Sequence, residues 1–199
     1  MIRVQLPEGC GRLLLHSCCA PCSGAIIECL LDSGIRPAIF FSNSNIFSPE
    51  EYRKRKAEII RYAAKEGLQV IDDDYDHSSW LEGSPEFAGC GSPDLRTQPE
   101  RGPRCLQCFR FRLLRAAEYA AANGYDVLAT SLASSRWKDL RQVDQAGLWA
   151  CSRVQGVQFW AQNWRKGGLQ ERRAQIIREQ QFYNQNYCGC EFSLPAGPR

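Results

Sequence analysis

The sequence predicts an α/β fold in which a mostly parallel sheet of about five strands is covered by helices on both faces. Two observations lead to this prediction. Short apolar runs alternate along the chain with longer segments of helical periodicity, which is typical of β-α-β units. Cysteines, aspartates and other polar residues follow the apolar runs, where the carboxyl ends of parallel strands would meet. We therefore expect a three-layer, Rossmann-like domain.

The first half of the chain is predicted to contain three strands joined by two helices. Gly34 and Gly67 are placed to end the helices. The second helix has a clear start signal, because Ser48 can cap it, Pro49 suits its first turn and Glu51 lies three residues after the serine. The predicted segments are strand 13–16, helix 22–32, strand 37–41, helix 49–65 and strand 68–71.

The second half resumes the alternation after a long polar stretch. A helix is predicted from Cys105 to about Gly124, followed by strands 127–130 and 157–160 and a last helix over 169–182. We expect one α/β catalytic domain that covers the chain almost completely. The boundaries are 1–192 for the domain, 72–104 for a candidate loop excursion from it, and 193–199 for a C-terminal tail.

Composition narrows the function classes. The 199 residues suit one domain, and no segment approaches the roughly 18 consecutive apolar residues of a membrane span. The N-terminal segment lacks the apolar core of a secretory signal. Eleven cysteines are an odd count in a chain large enough to fold without disulfides. These features favour a reducing, cytoplasmic location, where clustered cysteines bind metal or carry out redox chemistry.

Two cysteine pairs have the spacing of metal ligands. Cys18 and Cys19 follow the first strand directly, and Cys105 and Cys108 form a CxxC motif at a predicted helix start. The helix N-terminus and nearby arginines should favour thiolates in the CxxC motif. Four sulfurs from two distant segments suit either zinc or an iron–sulfur cluster, and a closed structural zinc site stays open as the alternative.

Cys188-Gly189-Cys190 predicts a different role from the other cysteine motifs. Glycine allows a sharp turn that could bring the two sulfurs together. A disulfide across so few residues would be strained and easily reduced, which suits redox cycling. Two further metal ligands are the alternative interpretation.

A dense acidic spot follows the third predicted strand. Its carboxylates could hold a cation or manage protons, and a solvated acidic loop is the alternative. The residues are Asp72, Asp73, Asp74 and Asp76.

The two histidines and one further cysteine are given structural interpretations. His16 ends the first strand and is expected to be a hydrogen-bonded packing residue. His77 lies in the polar stretch and is expected at the surface. Cys29 falls inside the first helix and is expected to be a small core residue.

Basic residues cluster in the second half, interleaved with aromatic ones. Residues 101–141 hold seven arginines and one lysine against three acids, and a second basic cluster lies in 165–178. Cations and aromatics together are typical of single-stranded RNA binding. Solvated helix faces and core tryptophans are the alternative. The aromatic residues concerned are Trp137, Trp160, Trp164 and Tyr183.

Seven motifs follow one another in a characteristic order over about residues 11–192. Together they resemble the cobalamin-independent epoxyqueuosine reductases, the QueH family. The motifs are HSCCAPC (16–22), SNSNIFSPEEYRKR (42–55), DYD (74–76), RGPRCLQCFRFRL (101–113), TSLASSRWKD (130–139), NWRKGG (163–168) and FYNQNYCGC (182–190).

The resemblance implies the last step of queuosine synthesis, on tRNA. An epoxide on the cyclopentane ring of the wobble-position base is reduced to the alkene, and its oxygen leaves as water. The implied partners are the tRNA anticodon stem-loop and an unidentified electron donor, with no membrane and no cobalamin.

The resemblance also implies the roles of individual residues. It implies a redox-active pair formed by Cys188 and Cys190, and a second iron near the cluster. Candidates for holding that iron are Cys22 with Asp74 or Asp76, and Asp76 is also a candidate proton source. The implied ligands of a [4Fe-4S] cluster are Cys18, Cys19, Cys105 and Cys108.

Two rival functions come from other classes. A zinc-stapled tRNA-binding module would use the same cysteines without chemistry. A nucleotide-dependent tRNA-thiolating enzyme should have a phosphate-binding, Gly/Ser-rich loop after the first strand. This chain has cysteines and proline there, with only Ser23-Gly24 as a suggestive pair.

Overall fold

A five-stranded, all-parallel sheet lies at the centre of the molecule, in the order β3-β2-β1-β4-β5. The computed structural model describes residues 2–82 and 98–194. The predicted α/β fold is therefore confirmed, with every predicted strand present within a few residues. The strands are β1 Leu13–His16, β2 Ala38–Phe41, β3 Val70–Asp72, β4 Val127–Thr130 and β5 Gln158–Phe159.

Helices cover both faces of the sheet. Strands β1, β2 and β3 follow one another towards one edge, so right-handed connections place their helices on one face. The chain then returns to the other side of β1, which places the next two long helices on the opposite face. The helices are α1 Ala20–Asp32, α2 Pro49–Lys65, α3 His77–Glu82, α4 Pro103–Ala122, α5 Leu140–Cys151 and α6 Leu169–Glu179. Accordingly α4 packs against α5, while α1 packs against α2 and against α6, which lies back on the first face.

The predicted start of α2 is confirmed. The side chain of Ser48 accepts a hydrogen bond from the backbone N–H of Glu51 at 3.3 Å, and Pro49 is the first helical residue. Other boundaries differ from the predictions. Helix α1 begins at Ala20, two residues early, and α4 begins at Pro103, while α6 ends at Glu179 instead of 182.

The sequence analysis missed two helices, α3 and α5. The buried residues of α5, from Val143 to Cys151, recur with helical spacing, but most of them are small, so the sequence shows no stripe of large apolar side chains there. Gly147 lies directly on the ring of Phe159, where an added Cβ would come within 2.2 Å of the ring. Close helix–strand packing therefore replaces a stripe of large apolar side chains.

The strand order places a crevice beyond the carboxyl ends of β1 and β4, because the chain leaves these neighbouring strands in opposite directions. The two loops are tied together there, since Ser131 accepts a hydrogen bond from the backbone N–H of Cys18 at 2.9 Å. Residues 83–97 of the predicted excursion 72–104, which include Cys90, lie outside the described residues. Residues 195–199 of the predicted tail lie outside them as well. No helix within the described ranges is long and apolar enough to cross a lipid bilayer.

Candidate functional site

A cavity of about 480 Å³ contains cysteines from three separate motifs. One motif follows β1, one begins α4 and one lies near the C-terminus of the described chain. The loops after β1, β2 and β4 therefore converge at this cavity as predicted, whereas those after β3 and β5 are not part of its lining. The cysteines that line the cavity are Cys18, Cys19, Cys22, Cys105, Cys188 and Cys190.

The sulfurs of Cys18, Cys19 and Cys22 form the tightest cluster in the cavity. The Sγ atoms of Cys18 and Cys19 are 3.8 Å apart, and all three sulfurs lie within 4.8 Å of one another. All three residues are buried, and Cys19 is the N-cap of α1. Within residues 2–82 and 98–194, no other three cysteine, histidine or acidic side chains come together in this way. Buried, clustered sulfurs are a donor set that soft metals prefer.

Hydrogen bonds within this cluster shift the pKa values of two of its thiols in opposite directions. Hydrogen bonds from Cys18 and Cys19 hold the pKa of Cys22 well below its usual value. The positive charges of Arg173 and Lys138 also lower the pKa of Cys22. The corresponding hydrogen bonds raise the pKa of Cys19 well above its usual value. Within the cluster the thiolate form is therefore favoured most at Cys22, and the thiolate is the metal-binding form of cysteine.

The CxxC motif lies at the start of α4, where Cys105 is half-buried and Cys108 is buried. Burial raises the pKa of Cys108 to about 12 and also raises the pKa of Cys105. The expectation of thiolates at this helix start is wrong for these residues, because burial outweighs the nearby arginines. Cys108 packs against Trp80 and Cys190, on the side of the site where the C-terminal motif lies.

The Cys188-Gly189-Cys190 turn is held by residues from the first half of the chain. Arg55 of α2 donates a hydrogen bond to the carbonyl of Cys188 at 3.0 Å, and the N–H of Phe47 donates to the carbonyl of Gly189 at 2.8 Å. Gly189 has φ +119°, and a Cβ there would lie 2.9 Å from Arg55 Nη1. Glycine is therefore required at this position. Both neighbouring cysteines are free thiols, with Cys188 the more exposed.

Cations surround the sulfurs. Burial alone would lower the pKa of Lys138, but the neighbouring cysteines outweigh burial and raise it above the usual lysine value. These cysteines are Cys188, Cys18 and Cys22. Lys138 therefore stays positively charged beside the thiols and offsets the cost of holding thiolates there.

The acidic spot lies apart from the cysteines. Asp73 is ion-paired with Arg115 at 2.5 Å, and Asp72 with Lys56 at 2.7 Å, so these carboxylates have structural partners. Asp76 accepts a hydrogen bond from the N–H of Ser79 at 3.0 Å. Asp74 is exposed. None of the four aspartates of the predicted acidic spot lines the cavity.

Comparison with known proteins identifies the family of this chain. A family model described as epoxyqueuosine reductase QueH matches residues 13–196. The chain belongs to the QueH family. A relative of that name from Acinetobacter baylyi is 45% identical over 97% of this chain and 85% of its own length. The relative from Haemophilus influenzae is 44% identical over 96% and 75%, and the one from Thermotoga maritima is 32% identical over 92% and 91%.

The histidines of this QueH-family chain differ from each other in environment. His16 is fully buried between Thr130 Oγ1, at 2.7 Å, and the carbonyl of Ser42, at 3.0 Å. Burial and then Arg112 lower its pKa to about 3, so it is neutral, and its predicted packing role is confirmed. The surface position predicted for His77 is wrong. Its ring is half-buried and lies 5.3 Å from the ring of Trp80.

The aromatic residues predicted to bind RNA in this QueH-family chain also differ in their exposure to solvent. Trp160 and Trp164 are buried and pack edge-to-face at 5.6 Å, so they belong to the core. Trp137 is 79% exposed and lines the cavity. Arg172, in the second basic cluster, is ion-paired with Glu28 and Glu179.

Sequence reasoning missed one cation of the site in this QueH-family chain, Arg55, which lines the cavity. Arg112 and Arg173, from the two predicted basic clusters, line the cavity as well. Arg112 is buried and donates hydrogen bonds to the carbonyl of Ser42 and to the side chain of Asn43. The signal that could have found Arg55 is an arginine inside the apolar face of a helix, where burial demands a partner.

Proposed function

We propose that this chain is an epoxyqueuosine reductase that converts epoxyqueuosine at the tRNA wobble position to queuosine. The observation that carries this proposal is one cavity lined by six cysteines from three motifs, in a chain of the QueH family. The first motif follows β1 of the sheet, the second begins α4, and the third lies in the segment after α6. Cysteines that line an open cavity favour redox chemistry on a bound ligand over a purely structural metal site.

The donor set fits a thiophilic metal centre. We propose Cys18, Cys19, Cys105 and Cys108 as ligands of a [4Fe-4S] cluster. Cys22 is the proposed ligand of an adjacent iron, since its sulfur lies within 4.8 Å of two of these sulfurs. When bound, such a centre supplies single electrons and a Lewis acid. The described geometry gives no support to the proposed roles of Asp74 and Asp76.

The proposed reaction balances with the second pair of thiols. Two C–O bonds of the epoxide break, one carbon–carbon double bond forms, and the oxygen leaves as water with two protons and two electrons. Oxidation of Cys188 and Cys190 to a disulfide releases two electrons and two protons. A dithiol or another two-electron donor then restores the thiols for the next turnover.

Residues around the cavity can hold and orient the polar substrate. Arg173 Nε and Gln185 Oε1 are buried and have no hydrogen-bond partner among the described residues, and both residues line the cavity. Buried polar groups of this kind are usually satisfied by a ligand or water. Positive charge on Lys138 supports the oxygen that departs from the epoxide, because negative charge develops on it.

The size of the cavity agrees with a single modified base. About 480 Å³ lies within the ~300–1,000 Å³ range of small-molecule sites. We propose that the wobble base leaves the anticodon stack and enters this cavity. We propose that the reaction takes place in the reducing cytoplasm, because the many cysteines of this chain are not needed as structural disulfides.

Conversion of a defined RNA tests the proposed function. Protein prepared without oxygen is mixed with an anticodon stem-loop that carries epoxyqueuosine, with dithiothreitol as reductant. We expect queuosine among the digested nucleosides, detected by mass spectrometry, and none with the Cys188→Ser variant. Metal-loaded wild-type protein that binds the RNA and leaves the epoxide intact would contradict the proposal.

A further inference from the structure

We propose that Trp137 is a stacking platform for the nucleotide next to the wobble base. This inference rests on the proposed function and adds a defined contact with the RNA. The indole of Trp137 is 79% exposed, and the residue also lines the cavity that contains the cysteines. The ring therefore lies at the mouth of the cavity, where one side remains open to a partner.

The exposed indole has no packing role inside the chain. Among the described residues, no ring pair, cation–π contact or side-chain hydrogen bond involves the indole of Trp137. By comparison, Trp160 and Trp164 are 8% and 1% exposed. A large aromatic surface left in water beside a site is typical of a binding contact.

The backbone of Trp137 is fixed on both sides. Arg101 Nε donates a hydrogen bond to the carbonyl of Trp137 at 2.9 Å. Arg165 Nη2 donates to the carbonyls of Ser135, at 2.6 Å, and Lys138, at 2.9 Å. These bonds hold the loop on either side of the indole, so the backbone that carries the ring is already ordered before binding.

The charges around Trp137 favour a nucleic acid over an apolar peptide. Arg136 and Arg141 are exposed neighbours, and no side-chain partner is found for Arg136 in the described part of the chain. The acid in this loop, Asp139, accepts a hydrogen bond from the N–H of Arg141 at 2.8 Å as the N-cap of α5. An open ring flanked by cations matches a base and its phosphates.

The position of the ring indicates that it meets an immediate neighbour of the wobble base. If the wobble base enters the cavity, its neighbour stays on the strand and reaches the mouth. The other aromatic residues that line the cavity, Phe109 and Tyr187, are buried and half-buried. Trp137 is therefore the aromatic surface available at the mouth. The flanking base, which loses its stacking on the wobble base, can stack on the indole instead.

A double-mutant cycle between protein and RNA tests this contact. The binding constant of an anticodon stem-loop is measured for wild type, Trp137→Ala and Trp137→Phe, with RNAs that are intact or abasic on either side of the wobble position. We expect Trp137→Ala to weaken binding of intact RNA by about tenfold or more. Trp137→Phe should restore part of the loss. The RNA that lacks the stacking base should bind to wild-type protein more weakly than intact RNA does. The same RNA should bind to Trp137→Ala no more weakly than intact RNA does.

A matched control and the contrary outcomes complete the test. Leu148→Ala removes another exposed apolar side chain, 58% exposed on α5, and should leave affinity and metal content unchanged. Equal effects of the abasic RNAs on wild type and Trp137→Ala would overturn the stacking role while the proposed function stands. A Trp137→Ala variant that binds RNA normally but needs more electron donor would make the ring a protein contact instead. Wild-type protein that fails to reduce the intact RNA would overturn both proposals.

Discussion

Arg55 on α2 donates a hydrogen bond from Nη1 to the backbone carbonyl of Cys188 at 3.0 Å, across 133 residues of sequence. The same guanidinium is ion-paired with Glu51 at 2.7 Å and lies 5.0 Å from the ring centroid of Tyr187. Because Arg55 is only 3% exposed, these contacts are made away from solvent. Helix α2 therefore fixes the position of the turn that carries both proposed redox thiols.

Arg55→Ala should destabilise the protein and loosen the Cys188 turn. Removal of a buried, charged hydrogen-bond donor and of the partner of Glu51 should lower the free energy of unfolding by about 2–4 kcal/mol. Denaturant unfolding measures this change, and the alkylation rate of Cys188 should rise. Arg53→Ala, an exposed position on the same helix, is the control and should change neither value. Unchanged stability and alkylation in Arg55→Ala would show that α2 does not position the turn.

Gly189→Ala should impair turnover more than it impairs metal binding. The substitution places a Cβ 2.9 Å from Arg55 Nη1 at a φ of +119°, so the turn must shift, at a cost of about 1–3 kcal/mol. Gly156→Ala has a comparable positive φ of +75° but no atom within 4 Å of the new Cβ, and it separates backbone strain from the local clash. Multiple-turnover rates should fall only in Gly189→Ala. Equal rates in the two variants would argue against a requirement for this turn.

The cysteine motifs should differ in metal retention. Iron, sulfide and zinc analysis of anaerobic protein should find about four iron and four sulfide per chain for the cluster alone. Cys19→Ala and Cys105→Ala should bleach the visible spectrum, whereas Cys188→Ser should keep it. Cys29→Ala is the control, because Cys29 is fully buried in α1 and is not part of the cavity lining.

The contrary results of the metal analysis have defined meanings. Loss of iron in Cys188→Ser would make this thiol a ligand and would remove its proposed redox role. Stoichiometric zinc without iron, in protein that binds tRNA but reduces nothing, would favour the zinc-stapled binding module. Buried thiols alone suit zinc as well as iron, so this measurement decides between the two.

Arg172→Ala should lower stability more than RNA affinity. From the sequence alone, Arg172 was a candidate phosphate contact, but its guanidinium is held by Glu28 at 2.5 Å and Glu179 at 2.7 Å. Loss of these partly exposed pairs should cost about 1–2 kcal/mol in unfolding free energy. Lys166→Ala, at an exposed position, should instead weaken RNA binding and reduce its salt dependence. The reverse pattern in the two variants would restore Arg172 as an RNA contact.

Much of the fold follows from local patterns in the sequence. The apolar runs such as Leu13-Leu14-Leu15 predict buried strands, and Ser48 with Pro49 predicts the start of α2. Helix α5 was missed because its buried residues, although helically spaced, are mostly small. Its packing depends on the contact between Gly147 and Phe159, which joins residues from different elements and so could not be read from the sequence.

The site was predictable at the level of motifs but not of partners. The cysteine motifs that follow β1 and begin α4 were expected to converge, and they line one cavity. The pairing of Asp73 with Arg115 joins residues 42 apart, so the sequence could not show that the acidic spot is largely neutralised by structure. The burial that raises the pKa of Cys108 likewise depends on Trp80, in a helix that the sequence did not predict.

A single turnover without external reductant tests the central claim most directly. Reduced, metal-loaded protein is mixed with a shortage of stem-loop RNA that carries epoxyqueuosine, and the remaining thiols are then alkylated and mapped by peptide mass spectrometry. We predict queuosine in an amount equal to the RNA added, with Cys188 and Cys190 protected from alkylation to the same extent and freed by dithiothreitol. Queuosine formed while both thiols remain fully reactive, or thiol oxidation without queuosine, would contradict the account.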